Sequence, residues 1–159
     1  MLGALATPSA SALAQAEAPA GTAEITIAAG PCFGSCPVYS ARLSANGTGR
    51  FVGTRFVARI GEQSFTADPS VFREIEEKLA PYRPMADRRI GPEECETFRT
   101  DAPSWTVRWV DRTGTPVSLA LSLGCQDVRY VPIAEAIRAA RDLMPIAPLI
   151  GKATRQQPQ

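Results

Sequence analysis

The segment Gly30-Pro31-Cys32-Phe33-Gly34-Ser35-Cys36-Pro37-Val38-Tyr39 constrains the fold more than any other part of this chain. Two cysteines four positions apart sit among glycine and proline, between two stretches that alternate apolar and polar residues as β-strands do. Such a pair can close a tight disulfide, cycle as a redox couple, or offer two thiolates to a soft metal. The compartment in which the chain resides largely decides among these.

The strands on either side of this loop set the fold class. Residues 23–28 alternate and end at Gly30-Pro31; residues 38–44 alternate again, with Tyr39, Ala41 and Leu43 on one face. Asn46-Gly47 has the turn chemistry of a hairpin, because both residues tolerate positive φ, and 49–53 is the expected returning strand. Segments 56–60 and 63–66 flank Gly61-Glu62 and read as a second hairpin. Asp68-Pro69 then opens a helix as N-cap and first-turn proline, with Val71, Phe72, Ile75 and Leu79 on one face and Pro81 and Pro84 stopping it. Further on, Trp105, Val107 and Trp109 share a strand face that suits core packing better than a ligand platform. A turn over 111–115 leads to Val117, Leu119 and Leu121. A last helix begins near Pro132, turns Ile133, Ile137, Ala140 and Met144 inward, and is limited by Pro145 and Pro148. The order β-β-β-β-α-β-β-α, joined by hairpins, predicts an α+β fold: an antiparallel sheet with two helices on one face, stapled by disulfides.

Residues 1–20 are Ala-rich, with no charge before Glu17, and Ala12-Leu13-Ala14 fits a small-x-small cleavage site. This leader lacks a basic head and reads as the remnant of a signal peptide, or as a disordered leader. Residues 21–150 are then expected to form one domain and 151–159 a disordered tail, in a protein that is periplasmic or secreted after cleavage near Ala14. No later apolar run reaches the length of a membrane span. The formal net charge is +1, and the arginines are scattered apart from Arg88-Arg89, which argues against a nucleic-acid partner. The chain contains no histidine. That absence removes Ser-His and Cys-His nucleophile pairs and every His-containing metal site.

Cys32, Cys36, Cys95 and Cys125 allow three pairings. In an oxidising compartment the expected bridges are Cys32–Cys36 and Cys95–Cys125. Loop-closure entropy assigns about 2 kcal/mol to the first ring and nearly 4 kcal/mol to the second, so the second is the stronger staple. It would also tether the polar, aperiodic stretch 81–103, which is otherwise unusually long for a loop. The first bridge contributes shape more than stability. Phe33 at its tip is expected to fold back into the core; the alternative is an exposed contact loop of Phe33, Gly34 and Tyr39.

The cysteine motif, followed by Asn46-Gly47-Thr48 and Phe51-Val52-Gly53, resembles the bacterial family called domain of unknown function 6438. The helix after Asp68 and the segment Asp101-Ala102-Pro103-Ser104-Trp105 are also similar to its pattern, and the likeness runs from about Ala23 to Leu143. The resemblance implies a small, mostly exported protein and brings no activity, cofactor or catalytic residue; Cys95 and Cys125 are not part of the shared pattern. Cys-x-x-x-Cys-Pro is similar, too, to the copper-delivery motif of Sco-type thioredoxin-fold assembly factors. In those proteins a helix follows the motif and a distant histidine completes the site; here the residues after Cys36 alternate like a strand.

Four close cysteines for zinc are lacking as well, since Cys95 and Cys125 stand alone. Asp101, Asp111, Glu93 and Glu94 are available carboxylates whose spacing defines no catalytic geometry. The reading from sequence is therefore an exported binding or envelope-interaction module, leaning away from an enzyme, with no cofactor, an unknown protein or envelope partner, and no catalytic or metal residues. The alternative is a periplasmic thiol-redox or copper-handling protein that uses Cys32 and Cys36.

Overall fold

The computed structural model describes residues 21–151; the expected leader, the cleavage site near Ala14 and all but the first residue of the expected tail lie outside the described residues. Seven strands form one sheet in the order β4-β3-β2-β1-β6-β7-β5. They are β1 (Thr22–Ala29), β2 (Val38–Ser44), β3 (Thr48–Arg55), β4 (Gly61–Thr66), β5 (Arg88–Ile90), β6 (Ser104–Asp111) and β7 (Pro116–Ser122). All neighbours are antiparallel except β5 and β7. Among the described residues there are also three α-helices: α1 (Pro69–Leu79), α2 (Val131–Leu143) and the four-residue α3 (Ala147–Ile150). Among the described residues, no helix is long and apolar enough to cross a membrane.

Strand alternation decides which face is covered. Ile25, Ile27, Tyr39, Ala41, Leu43, Phe51, Val107, Trp109, Leu119 and Leu121 are buried from successive strands, in one cluster with Phe72, Ile75 and Leu79 of α1 and Ile133, Ile137 and Ala140 of α2. Apart from the two alanines, burying each of these side chains is worth about 1.5–3 kcal/mol. The opposite face carries Glu24, Thr26, Arg42, Arg50, Thr106 and Arg108, with a cross-strand ion pair of Arg42 and Glu24 at 3.4 Å. The sheet is thus two-sided in chemistry, as an antiparallel sheet covered on one face should be.

Local signals hold where they rest on backbone chemistry. Asp68 caps α1, its carboxylate accepting a hydrogen bond from the Ser70 amide at 2.8 Å, and Pro69 occupies the first turn. In the β2–β3 turn only Gly47 takes positive φ (87°), while Asn46 uses its side-chain oxygen to accept from the Thr48 amide at 3.0 Å. A side chain at Gly47 would also run into the Ala67 carbonyl. In the β6–β7 turn the Asp111 carboxylate accepts from the amides of Thr113 at 2.9 Å and Thr115 at 2.8 Å.

Three expectations are corrected. First, residues 56–60 are not a strand. β3 continues to Arg55, the chain turns at Phe56 with φ of 54°, and β4 pairs directly with β3. Ala58 and Arg59 donate their amides to the carbonyls of Ile150 and Leu149, so this segment is held by the C-terminal turn instead of a sheet partner. Second, 81–103 contains the short strand β5, paired in parallel with β7, and a 3-10 turn over Ala80–Tyr82. The element order therefore gains a strand after α1 and a short helix at the end. Third, Phe33 is not in the core: it is 89% exposed.

Topology explains why 81–103 looks aperiodic. β4 and β5 are opposite edges of the sheet, about 29 Å apart at a strand spacing near 4.8 Å. The eleven residues of α1 cover only about 16 Å of that distance. Residues 80–87 cover the rest as a connection outside the sheet, partly in the 3-10 turn, and such a connection has no reason to alternate. It is pinned on the way by the Arg83 guanidinium, which donates to the Thr22 hydroxyl at 2.9 Å, and by Asp87, which accepts from the Ser118 amide at 2.8 Å.

Candidate functional site

Both expected disulfides are present, with Cα–Cα distances of 5.7 Å for Cys32–Cys36 and 5.5 Å for Cys95–Cys125. Their surroundings differ. Cys95–Cys125 lies in a polar web at the β5 side. Phe98 bridges Cys125 in the β manner, and the Asp127 carboxylate accepts from the amides of Glu96 at 3.1 Å and Thr97 at 3.2 Å. Glu94 pairs with Arg88 at 2.9 Å and accepts from the Tyr130 hydroxyl at 3.3 Å. These contacts hold the carboxyls of Glu94 and Asp127 below their ordinary range, through Arg88 in the first case and the Glu96 amide in the second. Thr113 and Thr115 do the same for Asp111. A carboxyl so lowered stays ionised near neutrality and is poorly placed to donate a proton. Asp101, with φ of 69°, shapes the loop before β6, and Glu93 is exposed.

The Cys32–Cys36 loop joins β1 to β2 at one end of the sheet. Its backbone is fastened to the segment before β6: Gly30 donates to the Ser104 carbonyl at 2.8 Å, and Phe33 donates to the Asp101 carbonyl at 3.0 Å. A side chain at Gly30 would collide with the Ser104 hydroxyl, so close approach of the two segments needs glycine there. The result is a loop closed covalently and clamped at two backbone points, with Phe33 and Gly34 in solvent. Tyr39, grouped with them on sequence, is buried in β2 and stacks on Phe51 at 5.3 Å.

The two halves of the family-like pattern, 30–39 and 101–105, thus meet in space. A comparison with known families matches residues 23–129 to a family described as Domain of unknown function (DUF6438). The chain belongs to this family. The match extends over both halves of that pattern and ends before α2, short of the likeness to Leu143 read from the sequence. A comparison with curated proteins finds no match.

Behind the DUF6438 cysteine loop lies a small cleft of about 150 Å³. Its origin is visible in the register. Ala29 of β1 faces Tyr39 of β2 on one side and Trp105 of β6 on the other, all on the covered face. A methyl group between two large aromatic rings leaves a gap, and Pro37, Pro103, Arg141 and Ile150 border it. The Arg141 guanidinium lies over the Trp105 ring at 5.1 Å, and its Nε donates to Asp142 at 2.7 Å. Tyr39 Oη is buried and, among the described residues, is the side-chain polar atom left without a hydrogen-bond partner. Burial pushes the phenol above its ordinary pKa, while Arg141 pulls in the opposite direction. The guanidinium is therefore close enough to interact with the hydroxyl, although their geometry falls short of a full hydrogen bond.

Sequence reasoning placed Cys32 to Cys36 on a loop between two strands but did not find this cleft. Its floor residue is an alanine, and Arg141 comes from a helix a hundred residues away. Among the described residues no three His, Cys, Asp or Glu side chains gather as metal ligands.

Proposed function

We propose that this DUF6438 protein is an exported binding or envelope-interaction module of one domain, about 21–150, and that the disulfide-closed loop is its contact surface. The observation that carries this reading is Phe33, an aromatic side chain 89% exposed on a loop closed by a disulfide. A large apolar group held in water by a covalent ring and two backbone hydrogen bonds is preorganised for contact, so little ordering entropy remains to be lost on binding. The two disulfides and the Ala-rich leader support an oxidising, extracytoplasmic location.

The test is photo-crosslinking in the native envelope from a probe placed at Ser35, next to Phe33. Wild-type protein should give one dominant adduct in the extracytoplasmic fraction, and Phe33→Ser should lose it while keeping the wild-type melting temperature. An adduct that persists in Phe33→Ser, or recovery of the protein from the cytosol with four alkylatable thiols, would overturn the reading.

Thiol-redox chemistry at Cys32 and Cys36 is the second reading, favoured by the partial exposure of both sulfur-bearing residues. A strand follows Cys36, so no helix N-terminus is there to lower a thiol pKa. A reduction potential between about −120 and −270 mV supports this second reading, and one below about −300 mV supports a structural bridge.

A further inference from the structure

We infer that the cleft over Ala29 is a binding site for a small carboxylate with a short branched apolar body, held by Tyr39 Oη and the Arg141 guanidinium. The pocket deepens the binding-module reading by naming a ligand class, and rests on that reading only for its biological use.

Three independent features point to such a ligand. The first is shape: Ala29 lies in register between Tyr39 and Trp105, so the sheet itself leaves a recess, and the 150 Å³ volume suits a body of a few carbons. The second is the lining. Ala29, Pro37, Pro103, Trp105, Leu123 and Ile150 present carbon to the recess, a surface that favours an apolar group over an inorganic anion. The third is the pair of polar groups at its wall. Tyr39 is only 4% exposed and its hydroxyl makes no full hydrogen bond among the described residues, a state that costs free energy unless a ligand or solvent atom satisfies it. A phenol is both donor and acceptor; next to a cation, an anionic acceptor suits it best.

Arg141 supplies that cation. Its guanidinium is oriented by the Trp105 ring, and Asp142 takes the edge formed by Nε and Nη2, at 2.7 and 2.5 Å. A guanidinium has five donors, so the edge that Asp142 leaves, close to the Tyr39 hydroxyl, can meet a second carboxylate. Asp142 is itself more than half exposed and therefore only partly offsets the charge. The carboxylate could come from a free short-chain acid or from the C-terminal residue of a peptide. The wider cleft of about 450 Å³ that shares Pro37, Arg141 and Ile150 would accommodate the preceding peptide residues.

The experiment is a titration of the purified, oxidised protein followed by tryptophan fluorescence, since Trp105 lines the recess while Trp109 is buried elsewhere in the core. The probes are 3-methylbutanoate, the matching alcohol 3-methylbutan-1-ol, inorganic phosphate, and the tripeptide Gly-Gly-Leu with a free or amidated C-terminus. The acid should bind with a Kd of about 1 mM, at least about tenfold tighter than the alcohol or phosphate. Free-ended peptide tighter than acid identifies a chain terminus as the source; the reverse identifies a free acid. Tyr39→Phe should weaken the acid at least about tenfold and leave the melting temperature of the free protein equal or higher, because it deletes an unpaired hydroxyl. Ala29→Leu, which fills the recess, should abolish binding.

Equal affinity for acid and alcohol, phosphate binding as well as the acid, or no saturable response would overturn the site. So would a Tyr39→Phe variant with unchanged affinity, or one whose melting temperature falls by several degrees, since its hydroxyl would then be structural. None of these outcomes depends on Phe33 crosslinking, so the pocket and the contact loop can fail separately.

Discussion

The two disulfide regions use the same bond for opposite ends. Cys95–Cys125 closes a long ring, at a sequence separation of 30, across a polar segment that is also tied down by backbone bonds of Arg99 to Gly124 and Gln126 to Thr97, by two amides donating to Asp127, and by ion pairs at Arg88 and Arg129. Cys32–Cys36 closes a ring at a separation of 4, already anchored by its flanking strands and by backbone bonds to Asp101 and Ser104. The entropy removed from the unfolded chain grows with the length of the closed ring. A bridge over a long polar segment should therefore act on stability, and one over a short loop should act on shape. One end of the molecule is stapled so that it folds, and the other is moulded so that it presents Phe33.

That contrast can be broken in order of size. Cys95→Ser with Cys125→Ser should lower unfolding free energy by about 2–5 kcal/mol in a urea titration; a loss below about 0.5 kcal/mol would mean that the polar web holds 91–99 without the bond. Cys32→Ser with Cys36→Ser should cost about 2 kcal/mol or less. If the short-ring variant is the less stable of the two, the comparison is inverted and the motif loop is a framework element.

A finer probe separates the staple from its polar web. The Asp127 carboxyl is lowered in the folded protein by the Glu96 and Thr97 amides. Its contribution is therefore fully present above the unfolded value of about 3.9 and is lost as pH falls through the folded value. Melting temperatures measured from neutral pH down to about pH 2 should fall less steeply on the acid side for Asp127→Asn than for wild type. An unchanged acid limb would show that the Asp127 carboxylate adds nothing to the backbone bonds and the disulfide that hold the segment. The smallest effect belongs to the other end. Phe33→Ser should change stability by no more than about 0.5 kcal/mol, because the side chain makes its contacts with water; a larger loss would show that the ring packs on something after all.

Local signals in the sequence were readable where a segment obeys one periodicity and carries its own punctuation. Residues 38–44, capped α1 after Asp68, and the Asp111 turn all belong to that class. Residues 56–60 misled because Phe56, Ala58 and Ile60 alternate, yet the segment is occupied by the C-terminal turn and has no strand partner. β5 escaped notice because three residues, Arg88–Ile90, carry too little pattern, and their partner on β7 lies about thirty residues onward. The cleft was invisible for a related reason. Nothing in the string marks Ala29 as the gap between Tyr39 and Trp105 until the registers of two strand pairs are known.

By itself, then, the sequence determined the alternation that makes the sheet, the caps and turns that delimit its pieces, and the four cysteines that pair without remainder. Only the tertiary structure decided that Phe33 points outward, that β5 joins the far edge, and that Tyr39 buries a hydroxyl beside Arg141 with no full hydrogen bond among the described residues. The division has a physical cause. Local preferences depend on neighbours a few residues away, whereas exposure, edge pairing and cavities depend on which distant side chains arrive first to fill the space.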